Sequence, residues 1–416
     1  MKLEIEPKKK CRICGSTDLQ FLFSLGEQYV INFVEEPTDY YTAPLDLVLC
    51  KKCKLVQLRH TVSRDILYRQ YWYKSGVNKT MVNILTNLVN EAAEVADVKE
   101  DDIVVDIGCN DGTMLRNLKR YCIKVGFEPA LNLVQEARIG TSYIFPTYFD
   151  STPYEEIFSK KAKLITAIAM FYDLDEPNQF VASIKRILHP QGVFVIQMNY
   201  LVSMLRNNAF DNISHEHLEY YSLTSLENLL RKHKLEAFHV ETNDVNGGSF
   251  KIYIKHKGCS KFEVDESVIK MKQEERDFGL DSLEPYLEFA QRVEDIKKKS
   301  VSFIQEELKR NKTFYVYGAS TRGTVVLQYF GLTNKEIKKA AEKNKAKVGL
   351  KMVGSWIPII SEEQAREEKP DYFIVLPWQF IDEFREKEKQ YLESGGTFLV
   401  FLPRPRIITK QEELYL

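Results

Sequence analysis

The sequence predicts an α/β protein in which two Rossmann-like units follow a small, cysteine-bearing segment. Three observations lead to this fold class. A buried apolar strand, a glycine-containing turn and a helix follow one another at 103–119, and the same order returns at 313–330. Apolar strands alternate with helical segments elsewhere, which predicts parallel sheets with helices on both faces. Two Cys-x-x-Cys pairs lie ahead of both units.

Composition limits the classes of function. The chain has 416 residues, 44% of them hydrophobic, which is enough for two or three domains with their own cores. The formal net charge of −1 carries no electrostatic signature for nucleic acid. The first residues lack the apolar core of a signal peptide, and no apolar run approaches membrane-spanning length. We therefore expect a cytoplasmic protein that binds neither nucleic acid nor membranes.

Four cysteines predict a metal site in the first segment. Cys11 and Cys14 form one Cys-x-x-Cys pair, and Cys50 and Cys53 form the second. Each pair can present two thiolates, so together they complete the tetrahedral Cys₄ set of structural zinc. A redox role would require a thioredoxin-like context, which is absent here. A closed site of this kind leaves no position for substrate, so we expect the zinc to be structural rather than catalytic.

The first glycine turn predicts a cofactor site. Helical periodicity over 79–97 precedes a strand that ends on Asp106, and Asp111 lies at the far side of the turn. Dinucleotide sites need uncharged residues and free N–H groups facing the phosphates, whereas carboxylates repel phosphate. Acidic residues suit S-adenosylmethionine (SAM), which has a positive centre and no phosphate. An ordinary α/β core with loop carboxylates is the alternative interpretation.

A second acidic residue supports the SAM interpretation. Glu128 ends the short strand 125–128, where its carboxylate can accept both ribose hydroxyls. Asp150, which follows Phe149, is a further candidate for contact with the adenine. The full set of predicted cofactor contacts is Asp106, Gly108, Asn110, Asp111, Gly112, Glu128 and Asp150.

The remaining elements follow the same α/β alternation. Buried strands are predicted at 162–170 and 192–197 with a helix at 180–188 between them, and 236–241 and 249–255 form a final strand pair. Charged sequence with sparse apolar positions at helical spacing then predicts helices. The second unit adds buried strands at 372–376 and 397–402. We expect a zinc-binding domain at 1–70, a SAM-binding domain at 71–260, a helical connector at 261–310 and a C-terminal Rossmann-like domain at 311–416.

One segment concentrates groups able to move a proton. It runs from Phe210 to Tyr221, follows the carboxyl end of a strand, and contains His215-Glu216-His217. In an extended loop, the two histidines would project to the same side and Glu216 to the other. A histidine at neutral pH can accept a proton from carbon or oxygen, and a neighbouring carboxylate can fix its tautomer. A purely structural loop is the equally weighted alternative.

The whole chain resembles the zinc-containing, three-domain sugar C-methyltransferases of nucleotide-sugar pathways. The order of a Cys₄ domain, a SAM domain and a C-terminal Rossmann-like domain is the same. The resemblance covers nearly the full length, and the combination of motifs is more specific than any one of them. The matching motifs are Tyr71-Trp72-Tyr73-Lys74-Ser75-Gly76, Asp106 to Gly112, Ser214-His215-Glu216-His217, Gly247-Gly248-Ser249, Tyr317-Gly318-Ala319 and Pro377-Trp378.

The resemblance implies a mechanism and a substrate. His217 corresponds to the base that removes a proton α to a sugar ketone, and the resulting enolate attacks the SAM methyl group. Glu216 and His215 are implied to support it, and Tyr71 or Tyr73 to orient the sugar. The N–H groups of the second glycine turn and Arg322 are expected to hold the pyrophosphate of the nucleotide-linked sugar, and a scaffold domain with an empty turn is the alternative interpretation. The candidate substrate contacts are Gly318, Ser320, Arg322 and Trp378, and the chain is expected to be a monomer or a homodimer.

The chain departs from the family pattern around the substrate. Ser214 replaces a tyrosine, 170–173 replaces a histidine-containing strand tip, Arg322 replaces a lysine and Gln379 replaces an asparagine. These changes spare the cofactor loop and leave the acceptor open between carbon and oxygen. Two alternative functions stay open: O-methylation of a sugar or phosphoryl group, and a non-catalytic SAM- or nucleotide-binding role. An NAD-dependent oxidoreductase is a third, less favoured alternative.

Overall fold

A computed structural model describes residues 5–30, 33–38, 40–68 and 71–416. The strands are β1 Leu19–Tyr29, β2 Phe33–Val34, β3 Thr42–Cys50, β4 Val56–Leu58, β5 Ile103–Ile107, β6 Ile123–Phe127, β7 Tyr143–Phe145, β8 Ala162–Ile168, β9 Leu188–Asn199, β10 Glu219–Tyr220, β11 Leu235–Asn243, β12 Ser249–His256, β13 Phe314–Tyr317, β14 Lys339–Glu342, β15 Lys351–Met352, β16 Ile357–Ser361, β17 Tyr372–Val375, β18 Thr397–Val400, β19 Arg406–Ile408 and β20 Glu413–Tyr415.

The helices alternate with these strands, as the sequence predicts for an α/β chain. They are α1 Arg64–Tyr68, α2 Lys79–Ala96, α3 Thr113–Arg116, α4 Leu131–Ala137, α5 Ser151–Ile157, α6 Pro177–Ile187, α7 Leu201–Arg206, α8 Leu223–Lys232, α9 Glu266–Phe278, α10 Glu284–Lys309, α11 Thr321–Phe330, α12 Glu362–Glu368, α13 Ile381–Lys387 and α14 Lys389–Glu393. Among the described residues, no helix is long and apolar enough to cross a membrane.

The N-terminal sheet is antiparallel, and its described strands lie in the order β1-β3-β4-β10. Alternating burial along β3 gives this sheet one core face. Strand β10 comes from residues 219–220, far along the chain, and pairs with β4. The loop that carries His217 is therefore held by the same sheet whose strand β3 ends at Cys50.

The central sheet has the described order β11-β12-β9-β8-β5-β6-β7, parallel except where β12 pairs with its neighbours. Strands β5 and β8 are buried almost throughout, as expected for a sheet covered on both faces. Helix α2 covers one face with its apolar stripe, and the Asn78 side chain caps it by accepting from two backbone N–H groups. This doubly wound order brings the carboxyl ends of β5, β6 and β8 to one edge, where such sheets bind ligands.

The C-terminal sheet contains the parallel run β16-β14-β13-β17-β18, extended at its edges by short antiparallel strands. At one end, β2 from the N-terminal part pairs with β15. Helix α10 spans 284–309, where the sequence predicts helices, and Phe289 on it packs edge to face against Phe23 with ring centroids 6.1 Å apart. The three sheets are therefore joined in two ways: single strands from one part pair with the sheet of another, and side chains pack between the parts.

Candidate active site and metal centre

A cavity of about 1170 Å³ lies where the N-terminal segment, the central sheet and the C-terminal sheet meet. It is bounded by residues from all three, including Tyr68, Glu128, His217 and Arg322. A pocket for one drug-sized ligand measures roughly 300–1,000 Å³, so this cavity has room for a cofactor together with a second molecule. It contains most of the predicted site residues.

The cofactor loop follows β5 and is organised around Glu128. One carboxylate oxygen of Glu128 accepts from the Asn110 N–H at 2.7 Å, and the other accepts from the Ala130 N–H at 2.7 Å. Each oxygen keeps a second lone pair, so the carboxylate can also accept two hydroxyl hydrogens of a ribose. Gly108 lies beside it with φ +71°, and a Cβ there would come within 3.1 Å of the Met170 side chain. The residues present therefore fit a SAM nucleoside.

Asp106 lies at the end of β5, buried, and its carboxylate accepts from the Thr166 hydroxyl at 2.8 Å. Burial raises the pKa of Asp106 to about 7; the Thr166 hydrogen bond opposes this rise and the Glu128 charge adds to it. Burial also raises the pKa of Glu128, against its two backbone hydrogen bonds. A positively charged ligand would favour the ionised form of both groups, whereas a phosphate would not.

Two predicted cofactor contacts lie outside the cavity lining. Asp111 is buried, and its carboxylate accepts from the Gly76 N–H at 2.7 Å and from the Thr113 N–H at 3.1 Å. Gly112 precedes α3, and a Cβ there would lie 2.8 Å from the carbonyl oxygen of Ala137. Asp111 therefore ties the turn to the aromatic segment Tyr71–Gly76, and Gly112 allows the turn to approach Ala137 of α4. Asp150 does line the cavity, where its side chain also caps α5 through the Thr152 N–H.

The aromatic segment is attached to the cofactor loop. The Asn110 side chain accepts from the Ser75 N–H at 3.0 Å and donates to the Tyr73 carbonyl at 3.1 Å. Tyr71 and Tyr73 both line the cavity, and the Tyr71 hydroxyl lies 3.5 Å from a carboxylate oxygen of Glu216. The two predicted tyrosines are thereby brought between the cofactor loop and the histidine segment.

The histidine segment forms a turn, because the His217 N–H bonds to the Ser214 carbonyl at 3.1 Å. Its side chains therefore do not alternate as they would in a strand. His217 and Glu216 line the cavity. His215 lies outside the cavity lining, buried, with its Nε2 2.9 Å from the Ala43 carbonyl of β3. Its contact ties the segment to the N-terminal sheet.

His217 has a defined tautomer. Its Nδ1 lies 2.7 Å from the Asn212 carbonyl, which can only accept, so Nδ1 carries the hydrogen and Nε2 keeps its lone pair. The Tyr172 ring packs edge to face on the imidazole, with centroids 4.3 Å apart. Burial lowers the pKa of His217 to about 4, with the Asn212 hydrogen bond opposing and the Arg322 charge adding to this effect. The imidazole is therefore neutral at pH 7 and able to accept a proton.

The second glycine turn borders the opposite side of the cavity. Gly318, Ser320 and Arg322 line it, and the Ser320 side chain caps α11 by accepting from the Gly323 N–H at 3.0 Å. Trp378 lies outside the lining, because its indole packs inward and donates from Nε1 to Asp211 at 3.1 Å. Arg322 forms an ion pair with the same carboxylate, 2.6 Å from it.

The sequence does not predict several residues that line the cavity. Lys343, Lys347 and Lys387 line the cavity, and Glu342, which ends β14, pairs with Lys347 at 3.5 Å. The sequence Lys-Ala-Ala-Glu of β14 has little β propensity, so neither this strand nor the residues after it were predicted. Asp173, predicted only as part of a strand tip, lines the cavity; burial and the Glu216 and Glu219 carboxylates raise the pKa of Asp173 well above its ordinary value.

The four predicted cysteines meet in one cluster. Their sulfur atoms lie within 4.8 Å of one another, with Cys11 and Cys53 at 3.4 Å and Cys14 and Cys50 at 3.5 Å. Tetrahedral zinc with Zn–S bonds of about 2.3 Å separates its sulfur ligands by about 3.8 Å, so the cluster fits that ion. The four thiols would fill every coordination position of a tetrahedral ion, so the site is of the closed, structural type.

Comparisons with known proteins agree with this architecture. Three family models match successive parts of the chain: "Putative zinc binding domain" at residues 11–68, "Methyltransferase domain" at 78–240 and "C-methyltransferase C-terminal domain" at 244–403. The C-methyltransferase NovU of Streptomyces niveus is 33% identical over 417 aligned positions, covering 99% of this chain and 99% of that protein.

Similar solved structures cover a smaller part of the chain. A SAM-dependent methyltransferase from Clostridium acetobutylicum has a TM-score of 0.34 and 13% identity, covering 42% of this chain and 92% of its own. The N-methyltransferase NodS from Bradyrhizobium japonicum has a TM-score of 0.33 and 13% identity, covering 44% of this chain and 98% of its own.

The protein is a SAM-dependent methyltransferase. This follows from its full-length similarity to NovU, from the match to the methyltransferase domain and from the acidic loop after β5. The chain belongs to the family of zinc-containing, three-part C-methyltransferases that includes NovU. The resemblance recognised in its motifs is confirmed, and the family favours carbon over oxygen as the acceptor.

Proposed function

We propose that the chain methylates a carbon next to the ketone of a nucleotide-linked deoxysugar, with His217 as the base. SAM, when bound, supplies an electrophilic methyl group beside a positive sulfur. The protein's own task is then to create a carbon nucleophile, because carbon attacks a methyl group only after a neighbouring ketone has made its hydrogen acidic. A base, an oxygen-stabilising donor and alignment of the two reactants are the requirements of that step.

The orientation of His217 is the observation that carries the proposal. Its Nδ1 is committed to the Asn212 carbonyl at 2.7 Å, so Nε2 is the nitrogen able to take a proton. Glu216 and the Tyr71 hydroxyl border the same cavity and would contact the sugar. The Tyr71 hydroxyl suits the role of the donor that stabilises the enolate oxygen. Burial raises the pKa of Tyr71 well above its ordinary value, so the hydroxyl keeps its hydrogen.

The cofactor assignment follows from the acidic loop. Asp106, Gly108, Asn110 and Glu128 line the same side of the cavity, and we assign the ribose hydroxyls to Glu128. Asp150, on the same wall, is assigned to the adenine. Asp111 and Gly112 are assigned to holding the loop rather than to contact with SAM.

The charge of the opposite wall supports a phosphate-bearing acceptor. Lys343, Lys347 and Lys387 border the cavity; Lys347 pairs with Glu342 and Lys387 with Glu362. Gly318 and Ser320, at the N-terminus of α11, line the cavity as well. Helix N-termini and cationic side chains both favour anions. The volume of about 1170 Å³ leaves room for a nucleotide beside the cofactor.

Mass spectrometry would test the reaction. The purified protein is incubated with SAM and a panel of nucleotide-linked keto- and hydroxy-sugars, and fragmentation locates any added methyl group. We expect a product with one methyl in place of hydrogen on a ring carbon, and deuterium from solvent in the same position when SAM is omitted. A methyl group on oxygen, or SAM binding without turnover of any panel member, would contradict the proposal.

SAM affinity is expected to fall as the pH drops from 8 to 6. Because the pKa of Asp106 is raised to about 7, its carboxyl is mostly neutral at pH 6 and mostly ionised at pH 8. A cationic cofactor prefers the ionised form, so Kd should be roughly tenfold higher at pH 6. Calorimetry measures this without any acceptor. Asp106→Asn should bind weakly at both pH values, and an unchanged tenfold dependence in that variant would exclude Asp106 as its source.

A further inference from the structure

We infer that Trp378 and Arg322 are positioning residues for His217, acting through Asp211 and the backbone carbonyl of Asn212. This inference rests on the proposed role of His217 as the base. It gives a role to two residues of the C-terminal part that the sequence assigns only to substrate contact. It also explains why the motifs Gly247-Gly248-Ser249, Tyr317-Gly318-Ala319 and Pro377-Trp378 meet at one point of the fold.

The junction is centred on the carboxylate of Asp211, whose residue is 2% exposed. The indole Nε1 of Trp378 lies 3.1 Å from its Oδ2, and the guanidinium of Arg322 lies 2.6 Å from the same oxygen. Arg322 also donates to the Asn246 carbonyl at 2.9 Å. A buried carboxylate without partners is costly, so these two side chains from the C-terminal part fix Asp211 in one position.

Asp211 is one peptide away from the atom that orients the base. Residues 210–212 form one tight turn, in which the Asn212 N–H bonds to the Ala209 carbonyl at 3.1 Å and the Ile213 N–H to the Phe210 carbonyl at 2.9 Å. The Asn212 carbonyl accepts the His217 Nδ1–H at 2.7 Å. A short turn moves as a unit, so loss of the Asp211 contacts would shift this carbonyl and release the imidazole to take the other tautomer.

The glycines of two motifs make the junction possible. A Cβ on Gly247, which has φ +88°, would lie 2.7 Å from the Trp378 ring, and a Cβ on Gly318, with φ +83°, would lie 2.6 Å from Pro377. A larger residue at Gly247 would displace the indole directly, and one at Gly318 would displace Pro377, which precedes Trp378. Three motifs therefore contribute to the support of His217: Gly-Gly-Ser, Tyr-Gly-Ala and Pro-Trp. Gly318 of the second motif also lines the cavity.

A positioning role and a substrate-binding role predict different kinetics. Trp378 lies outside the cavity lining, so its replacement should leave the KM of the acceptor unchanged and lower kcat. A residue that contacts the substrate in the ground state would instead raise KM. Trp378→Phe is the cleanest variant because it removes the N–H while keeping an aromatic ring in the packed site.

Nuclear magnetic resonance can test the inference without any substrate. The full chain is labelled with ¹⁵N-histidine, and long-range proton–nitrogen spectra report which ring nitrogen is protonated; His217→Gln assigns the His217 signals. In the wild type we expect a pure Nδ1–H tautomer. In Trp378→Phe, Arg322→Gln and Asp211→Asn we expect the two nitrogen shifts to move toward each other as the tautomers mix.

Trp356→Phe is the matched control, because Trp356 lies in the same part of the chain but packs on Tyr29 outside the cavity lining. Its spectrum should equal that of the wild type. With any acceptor that is turned over, Trp378→Phe should lower kcat about 10–100-fold at unchanged KM. Unchanged His217 shifts in the folded Trp378→Phe and Arg322→Gln variants, or a rise in KM alone, would overturn the inference. The absence of an acceptor would affect only the proposed function.

Discussion

Replacing His217 with glutamine is expected to lower kcat by about 10²–10⁴-fold while leaving SAM affinity unchanged. The imidazole is neutral at pH 7, its Nδ1–H is held by the Asn212 carbonyl, and Nε2 is left to accept a proton. Glutamine keeps a polar group of similar reach but cannot take a proton at this pH. The rate of solvent deuterium entry into the acceptor, measured without SAM, should fall by the same factor as kcat.

His239→Gln is the matched control. His239 lies on β11, is partly exposed, pairs with Asp265 and does not line the cavity, so its loss should not change turnover. Calorimetry with SAM separates loss of chemistry from loss of cofactor. If His217→Gln exchanged the acceptor proton at the wild-type rate, another group would have to be the base, and Glu216 would be the next residue to replace.

Loss of one zinc ligand is expected to remove the metal and to destabilise the whole N-terminal part. Cys50→Ser breaks a closed set of four thiols, and apparent binding free energies of structural zinc are about 10–16 kcal/mol in small zinc domains. Some of that free energy stabilises the folded chain, so Tm should fall by roughly 10 °C. Elemental analysis should find about one zinc per wild-type chain and none in the variant.

The segment between Cys11 and Cys14 also supports the cavity, so activity should fall when the metal is lost. Arg12, between two of the cysteines, donates to the Asp175 carboxylate at 3.1 Å, and the Asn178 side chain donates to the Arg12 carbonyl at 3.0 Å. Asp175 lines the cavity. Cys122→Ser, which changes a cysteine outside the cluster, should retain zinc and activity. Full zinc content in Cys50→Ser would contradict the assignment of this residue as a ligand.

Local sequence was sufficient for the features that depend on local chemistry. The strand and glycine turn around Asp106 form as predicted, because a buried apolar run and a turn that needs positive φ are encoded within a few residues. The helix begins at Thr113 as predicted but ends at Arg116 rather than at 119. Glu128 follows the next strand for the same reason. The two Cys-x-x-Cys pairs predict one metal site, since each pair sets the spacing of two thiols.

Several features had no local signal. Strands β2 and β10 have two residues each and exist only because they pair with strands far away in sequence. In the extended loop that the sequence predicts, His215 and His217 would face the same side. The segment is instead a turn, so the two imidazoles have different partners. Trp378 points inward to Asp211 because residues 167 positions apart become neighbours only when the parts of the chain pack together.

The sequence by itself determined the family, the fold class, the cluster of four cysteines and the acidic character of the loop after β5, because each depends on residue type and short spacing. Only the tertiary structure decided which of those residues face the cavity. Asp111 and Gly112 turn to support the loop, His215 binds the N-terminal sheet, and Trp378 supports a buried carboxylate. The direction of a side chain depends on what packs against it, and those neighbours are supplied by distant parts of the chain.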